Sequence, residues 1–267
     1  MRRQLRQFGT ATWRGEASGV LLLAGLLLLW EWLARAGLVY TVYMPPVSHI
    51  LSTLVDLIVS GELPKALAVS LGRGVVGYGL AVLLAVPLGV AIGFYRRIFH
   101  LFEPLIELLR PMPPPAIIPM AILILGIGNE MKVVMIAFAC FFPILVNTAH
   151  GVRSVEPVLL ATARTFGLSD GQTLRAVIVP SAAPAIAAGL RISLAIALIL
   201  VVIAEMVAGN NGIGFLILDA QRAFRVSEMY AGIFALAVLG YVLNRLFVWA
   251  ESRVLAWHRN MTVWGRR

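Results

Sequence analysis

Hydrophobic positions in this chain fall in long runs, not in the short alternations of half-buried elements. Apolar stretches occupy 18–38, 71–95, 113–128, 131–150, 182–208 and 230–250. All but the third reach about 20 residues, the length at which an α-helix crosses the hydrocarbon core of a bilayer. In lipid the backbone polar groups must be satisfied internally, so such runs read as helices. The pattern predicts an all-α polytopic membrane protein with about six transmembrane helices. The first run, GVLLLAGLLLLWEWLARAGLV, is too long for a signal-peptide core and lacks a small-residue cleavage site, so it reads as a retained span. Around the third run, Pro111, Pro113, Pro114, Pro115 and Pro119 each remove a backbone donor. The expectation there is a helix from about 99 that breaks near Pro113 and resumes through AIIPMAILILGIG.

The polar segments between the runs carry the orientation. Arg2, Arg3, Arg6 and Arg14 at the start, Arg96 and Arg97, Arg153, Arg164 and Arg175, and Arg253, Arg259, Arg266 and Arg267 fall on one side. They are thirteen cations, against four on the other side: Lys65, Lys132, Arg222 and Arg225. Basic residues in short loops stay cytoplasmic, so both termini are expected in the cytoplasm. Trp30, Trp32, Trp249 and Trp257 lie near span ends, where an amphipathic ring prefers the headgroup region. The expected organisation is a cytoplasmic tail over 1–16, a first transmembrane helix over 17–38, an outer interfacial segment over 39–66 with a short amphipathic helix, a core over 67–251, and a cytoplasmic tail over 252–267.

Composition agrees with a membrane setting. The chain has 267 residues, 60% hydrophobic and 13% charged, against roughly a quarter charged in soluble domains. A net charge of +9 raises nucleic acid as a partner, but the cations sit between oily segments, and membrane lipid is the expected partner instead. The single cysteine, Cys140, lies in an apolar run as a small buried side chain. His49, His100, His150 and His258 are scattered without metal-ligand spacing, so no metal is assigned.

One connection is more than a linker. Segment 151–180 reads GVRSVEPVLLATARTFGLSDGQTLRAVIVP. Its punctuation predicts two short helices at an angle. The first starts near Pro157 and stops at Gly167, where glycine accommodates the left-handed conformation of a helix end. The second starts at Ser169 with Gln172 three residues on, the spacing of a capping box. Pro180 is expected to change the chain direction into the fifth span.

Here the sequence resembles the permease subunits of binding-protein-dependent ABC importers, especially the sulfonate/taurine/nitrate-type branch. Their cytoplasmic EAA loop runs Glu-Ala-Ala, three residues, Gly, nine residues, Ile, one residue, Leu-Pro. The matching positions are Ala161-Thr162-Ala163, Gly167, Val177 and Val179-Pro180. Ala161 replaces the family Glu and Thr162 the first Ala, so a salt bridge through that carboxylate is not carried over. The resemblance extends over about 44–250, including MPPVSHIL, LGRGVVGYGLAVLLAVPLGVAIG, FPILVNTAHGVRSV, GLRISLAIALILVVIAEMVAG and GIGFLI. It implies a type I ABC importer permease fold in a bacterial inner membrane. It also implies a second permease copy completing the pore as a homodimer, two ATPase subunits that bind ATP and Mg and grip the loop, and a periplasmic or lipid-anchored solute-binding protein. The implied solute is a small anion of the sulfonate, taurine, nitrate or bicarbonate class.

The residues agree with a separate motor. There is no G-x-x-x-x-G-K-[ST] phosphate loop, and neither Lys65 nor Lys132 stands in such a context, so the chain is expected to be non-catalytic. The candidate ATPase-coupling residues are Ala161, Thr162, Ala163, Arg164, Phe166, Gly167, Leu168 and Pro180. Charges inside spans are costly and mark a pathway or a structural pair. Glu205 either lines an outer gate or pairs within the permease. Arg191 and Arg73 either attract an anion or snorkel to an interface, and snorkelling is favoured for Arg191. Asn210 and Asn211, among Gly209, Gly212 and Gly214, form a polar turn expected at the outer gate or the binding protein. Gly74, Gly77, Gly79, Gly89 and Gly93 recur in span two; they suit close packing within the subunit, with a dimer contact as the second reading. A stand-alone secondary transporter or channel is the competing class. Such transporters often carry inverted repeats, and none is evident here. An intramembrane enzyme lacks a recognisable nucleophile or metal constellation.

Overall fold

A computed structural model describes the backbone of residues 2–256 and the side chains of residues 18–256. The side chains of Arg2, Arg3, Arg6 and Arg14, and the tail residues Trp257, His258, Arg259, Arg266 and Arg267, lie outside the described residues. The helices in chain order are α1 (Arg2–Arg35), α2 (Val47–Val59), α3 (Glu62–Phe94), α4 (Arg96–Leu109), α5 (Pro114–Leu125), α6 (Asn129–Arg153), α7 (Pro157–Thr165), α8 (Asp170–Thr173), α9 (Val179–Ala208), α10 (Ile213–Arg222) and α11 (Val226–Val254). Among the described residues, Ser18–Arg35, α3, α6, Asp170–Ala208 and α11 are long and apolar enough to span a bilayer. Helices α4 and α5 meet at 96°, as a broken span or a re-entrant loop, which makes five or six spans among the described residues. The break falls at Arg110–Pro113, where the prolines withdraw donors.

Two expectations are corrected. Pro180 does not turn the chain, because helical backbone continues from Asp170 to Ala208. A π-helical turn at Leu174–Ile178 precedes it, and the Val179 amide reaches back to the Leu174 carbonyl. The wider i→i+5 ring accommodates a residue that has no N–H and whose ring would strike the carbonyl four residues back. The polar turn expected to run through Gly214 instead ends at Gly212, and helix α10 starts at Ile213. It forms because FLILDA presents an apolar face, with Ile213, Leu216, Ile217 and Ala220 all buried.

The helices sort into two compact units. The smaller takes the chain up to Leu63 together with Ile217–Ala235. In it Trp30 stacks on Phe234 (centroids 6.2 Å apart) and meets Tyr230 edge-on at 5.3 Å. The two charges late in the first span also find work here. Glu31 accepts from the Ser48 amide at 3.0 Å and the Ser48 hydroxyl at 2.8 Å, and pairs with Arg35 at 2.5 Å. Its carboxylate thus satisfies an orphan amide in the first turn of α2, which has no side-chain cap of its own.

The larger unit takes Pro64–Leu216 and the chain from Leu236 onward. Helices α6 and α9 come into close contact where glycines face the other helix. A Cβ at Gly151 would stand 2.6 Å from that of Ala185, and one at Gly189 would stand 2.7 Å from that of Asn147. Midway, the Ser193 hydroxyl donates to the Cys140 carbonyl at 3.1 Å and the Cys140 thiol to the Ser193 carbonyl at 3.3 Å. Lipid offers little hydrophobic drive for helix association, so close backbone approach and interhelical hydrogen bonds carry it. Helix α3 uses the same device: its Gly77, Gly89 and Gly93 meet Ile136, Thr148 and Val152 of α6. The glycine face of span two therefore packs within the subunit.

This packing separates two neighbouring glycines experimentally. Gly89→Val has no room, since even a Cβ would stand 2.7 Å from that of Thr148; Gly79→Val has open space. Overpacking of this kind costs about 1–3 kcal/mol. Thermal unfolding of the purified protein should show a clear loss for the first variant and little change for the second.

Candidate functional site

The segment after α6 is a rigid hook. Helix α7 opens on Pro157 and closes on a Schellman motif. The Leu168 amide bonds to the Ala163 carbonyl at 3.1 Å and the Gly167 amide to the Arg164 carbonyl at 3.0 Å. Gly167 sits at φ +68°, a conformation that costs a side-chain-bearing residue about 1–2 kcal/mol. Two residues later the predicted capping box is complete. The Ser169 amide donates to the Gln172 side chain at 2.9 Å, and the Gln172 amide to the Ser169 hydroxyl at 3.4 Å. Leu160 of α7 and Leu174 of the π turn pack on Val152, Val155, Ile178 and Ala182, which fixes the hook to α6 and α9.

The outer surface of the hook is uncovered. Phe166 is 79% exposed, Val158 71%, and Ala161, Thr162, Arg164 and Gly167 are exposed as well. Ala163 is buried against the fold, Leu168 and Pro180 are half-buried, and none of these three forms the crest. The described hydrogen bonds of Thr162 and Thr165 return to the carbonyls one turn back, so the crest presents methyl groups and a phenyl ring beside the exposed Arg164. An apolar crest on a preformed, polar-rimmed element is the form of a docking surface.

The other candidate residues divide. Glu205, Arg73 and Asn211 come together; Arg191 and Asn210 lie elsewhere. Glu205 is fully buried, and its carboxylate takes the Arg73 guanidinium at 2.6 Å, the Ser70 hydroxyl at 2.9 and 2.8 Å, and the Gly214 amide at 3.0 Å. Arg73, 5% exposed, also donates to the Asn129 side chain at 2.8 Å, to the Asn211 carbonyl at 3.1 Å, and to the Asn211 side-chain oxygen. Ser70 in turn accepts from the Ile213 amide at 2.9 Å. The carboxylate thereby caps the amino end of α10, where a negative charge meets the positive end of the helix dipole. The chain can bring that end so close because Gly212 adopts φ +101° and has no side chain to strike Glu205. Elements α3, α6, α9, α10 and the turn before α10 are tied at this one point.

Arg191 is exposed and donates to Asn244 of α11 at 3.2 Å, at the edge of an apolar groove of about 530 Å³ lined by Leu194, Leu198, Val202 and Gly240. Asn210 is exposed in the turn. Sequence reasoning missed Ser70 and Asn129 as members of the cluster. Ser70 carries a readable signal, one helical turn before Arg73. Asn129 opens α6, but nothing in the sequence sets it opposite Arg73. Among the described residues no group of His, Cys, Asp or Glu could hold a metal ion.

Residues 81–256 match the family described as binding-protein-dependent transport system inner membrane component. The taurine transport system permease protein TauC of Escherichia coli (strain K12) is 33% identical over 88% of this chain and 88% of its own length. The bicarbonate transport system permease protein CmpB of Synechococcus elongatus is 29% identical over 96% of each. In structure the chain is similar to the MetNI methionine ABC transporter in its inward facing conformations. The TM-score is 0.61 at 19% identity, covering 74% of this chain and 96% of that one, a likeness of fold. With an all-helical, multi-pass architecture, this chain belongs to the binding-protein-dependent inner membrane components, the non-catalytic permease subunits of ABC importers.

Proposed function

We propose that this permease forms the pore of an importer for a small anionic solute of the sulfonate, taurine, nitrate or bicarbonate class, and that the hook at 157–179 is its coupling element. The substrate class draws on the names of the taurine and bicarbonate relatives. The observation that carries the coupling assignment is the hook itself: two capped helices locked to α6 and α9, with Phe166 and Val158 left bare. In this reading both termini and the hook are cytoplasmic, in line with the excess of cations on that side. Two ATPase subunits each take one hook into a groove, a second copy of this chain completes the pore, and a solute-binding protein docks on the opposite face. ATP and Mg reside in the ATPase subunits. Nucleotide shifts the pore between states only through contacts that differ between those states, and a rigid hook passes such a difference on without absorbing it.

Glu205, Arg73 and Asn211 then act as the structural clasp of the outer gate. They fix the Gly209–Asn211 turn and the start of α10 to α3, and Asn210 and the exposed side of Asn211 face the receptor. Arg191, on the groove beside α11, is the candidate for contact with the travelling anion. The alternative of a stand-alone secondary transporter predicts gradient-driven uptake by this chain alone. Uptake by proteoliposomes that requires ATP and a soluble receptor supports the importer.

Two sets of variants test the assignments. Phe166→Asp removes the apolar crest, and Gly167→Pro demands φ near −65° where the hook has +68°. Both should abolish co-purification of the ATPase or solute-stimulated ATP hydrolysis while the spans remain folded. Normal values in both would refute the coupling role. Glu205→Ala leaves Arg73 buried without its partner, a change that costs about 3–5 kcal/mol. Thermal unfolding should drop sharply for Glu205→Ala and for Arg73→Ala. The Arg73→Met/Glu205→Leu double variant should lose much less than the sum of the single losses.

A further inference from the structure

One face of α6 borders open space over much of its length, and two cavities lie along it. The larger, of about 570 Å³, is lined by Phe138, Phe142 and Asn147 of α6, Ile196 of α9 and Pro114 of α5. The smaller, of about 270 Å³, lies toward the hook and is lined by Ala149, His150 and Arg153 of α6 and by Glu103 and Glu107 of α4. The two share Arg110 and Val146 as lining residues, so they adjoin. From Phe138 to Arg153 this face is about 22 Å long at 1.5 Å per residue. A water molecule takes about 30 Å³ of the liquid, so each cavity has room for a solute of several heavy atoms.

Arg110 stands at the junction. It is the C-cap residue of α4, at the bend between α4 and α5, where the negative end of a helix dipole suits a cation. It is exposed, and among the described residues its guanidinium has no hydrogen-bond acceptor and no carboxylate within ion-pair distance. Other arginines of the bundle are occupied: Arg73 by Glu205, Arg153 by the Ile92 carbonyl and the Phe99 ring, Arg191 by Asn244. Among the described residues Arg110 is also the only charged one that lines the larger cavity, whose walls are otherwise apolar except for Asn147. Low-dielectric walls around charge of one sign focus its field and concentrate the counter-ion. In the smaller cavity Glu103 and Glu107 offset Arg153 and Arg110, so an anion is held there weakly and can leave, as passage requires.

We propose that the two adjoining cavities are this subunit's share of the transport path, and that Arg110 is the residue in it that selects for negative charge. The inference rests on the anionic-substrate reading above and adds a second cation to the Arg191 contact assigned there. The planar guanidinium offers paired N–H donors to an oxyanion. A cation entering the larger cavity finds no carboxylate on its walls.

Charged methanethiosulfonates serve as probes, because they report the sign of the field at a chosen thiol. Val146→Cys places a thiol at the junction and Ala149→Cys places one a turn further on, and either suffices for the comparison. The native Cys140 is buried, so the unsubstituted chain gives the background. Modification of the permease chain in the purified permease–ATPase complex is followed by intact mass. The anionic sulfonatoethyl and cationic trimethylammonioethyl reagents are compared, each rate divided by that for a free thiol. At Val146→Cys the anionic reagent should be favoured about five- to thirtyfold, the worth of one to two unit-charge interactions at short range in water. Adding Arg110→Gln should erase the preference and Arg110→Lys should keep most of it. Both should unfold at the parent temperature, since Arg110 has no partner to lose. A preference that survives Arg110→Gln would overturn the proposal, and so would failure of both cysteines to react, which would mean that water does not fill the cavities. Misfolding of both Arg110 variants would overturn it as well, by making Arg110 a structural residue. Uptake by proteoliposomes separates this path from the substrate reading. A neutral or cationic solute with an Arg110-dependent preference defeats only that reading, whereas anion uptake that Arg110→Gln leaves unchanged defeats only the path.

Discussion

The larger unit depends on one carboxylate. Glu205 has lost all its water, and its two oxygens are matched by a guanidinium, a hydroxyl and a helix-end amide drawn from α3 and α10. A buried ion pair adds little net stability relative to an apolar replacement, but it tolerates few geometries. What it supplies here is position. The turn after α9 is a run of glycine and asparagine with little packing of its own, and it gains a defined path because its Asn211 carbonyl and side chain, and the α10 amides beyond it, end on Arg73, Ser70 and Glu205.

Around that point the bundle holds together by small residues. Gly151 and Gly189 allow α6 and α9 to touch, and Gly77, Gly89 and Gly93 do the same for α3 and α6. Large aliphatic side chains such as Leu83, Leu84, Leu123 and Ile199 are instead exposed on the outside of the bundle, as suits a chain whose solvent is lipid. This inversion of the soluble pattern is why exposed leucines here signal a bilayer and not a fault.

Much of this was legible in the sequence, and what was not has a physical reason. Apolar runs located the spans because hydrocarbon thickness sets their length, and prolines located the bend between α4 and α5 because they remove donors. The Schellman and capping-box ends of the hook were readable because they are local, each needing only residues three to five apart. Pro180 was misread because a proline's effect depends on whether the preceding turn can widen, and a π ring leaves no mark in residue types. The place of Asn129 in the cluster is invisible for the opposite reason: the Arg73 guanidinium that donates to it lies on α3, 56 positions away in sequence, and no periodicity within α6 reports it. Glu205 was readable as unusual but equally as gate or as pair, since one charge in a span does not name its partner.

The uninterrupted helix from Asp170 to Ala208 has a mechanical corollary. The capped end of the hook and the Glu205 carboxylate are carried on the same rod, about 50 Å apart at 1.5 Å per residue. The π turn at Leu174–Ile178 and Pro184 lie between them, both toward the hook end, and helical backbone continues through each. Torque applied at one end therefore arrives at the other as rotation or tilt of a single shaft, so the two termini of this helix share their motion.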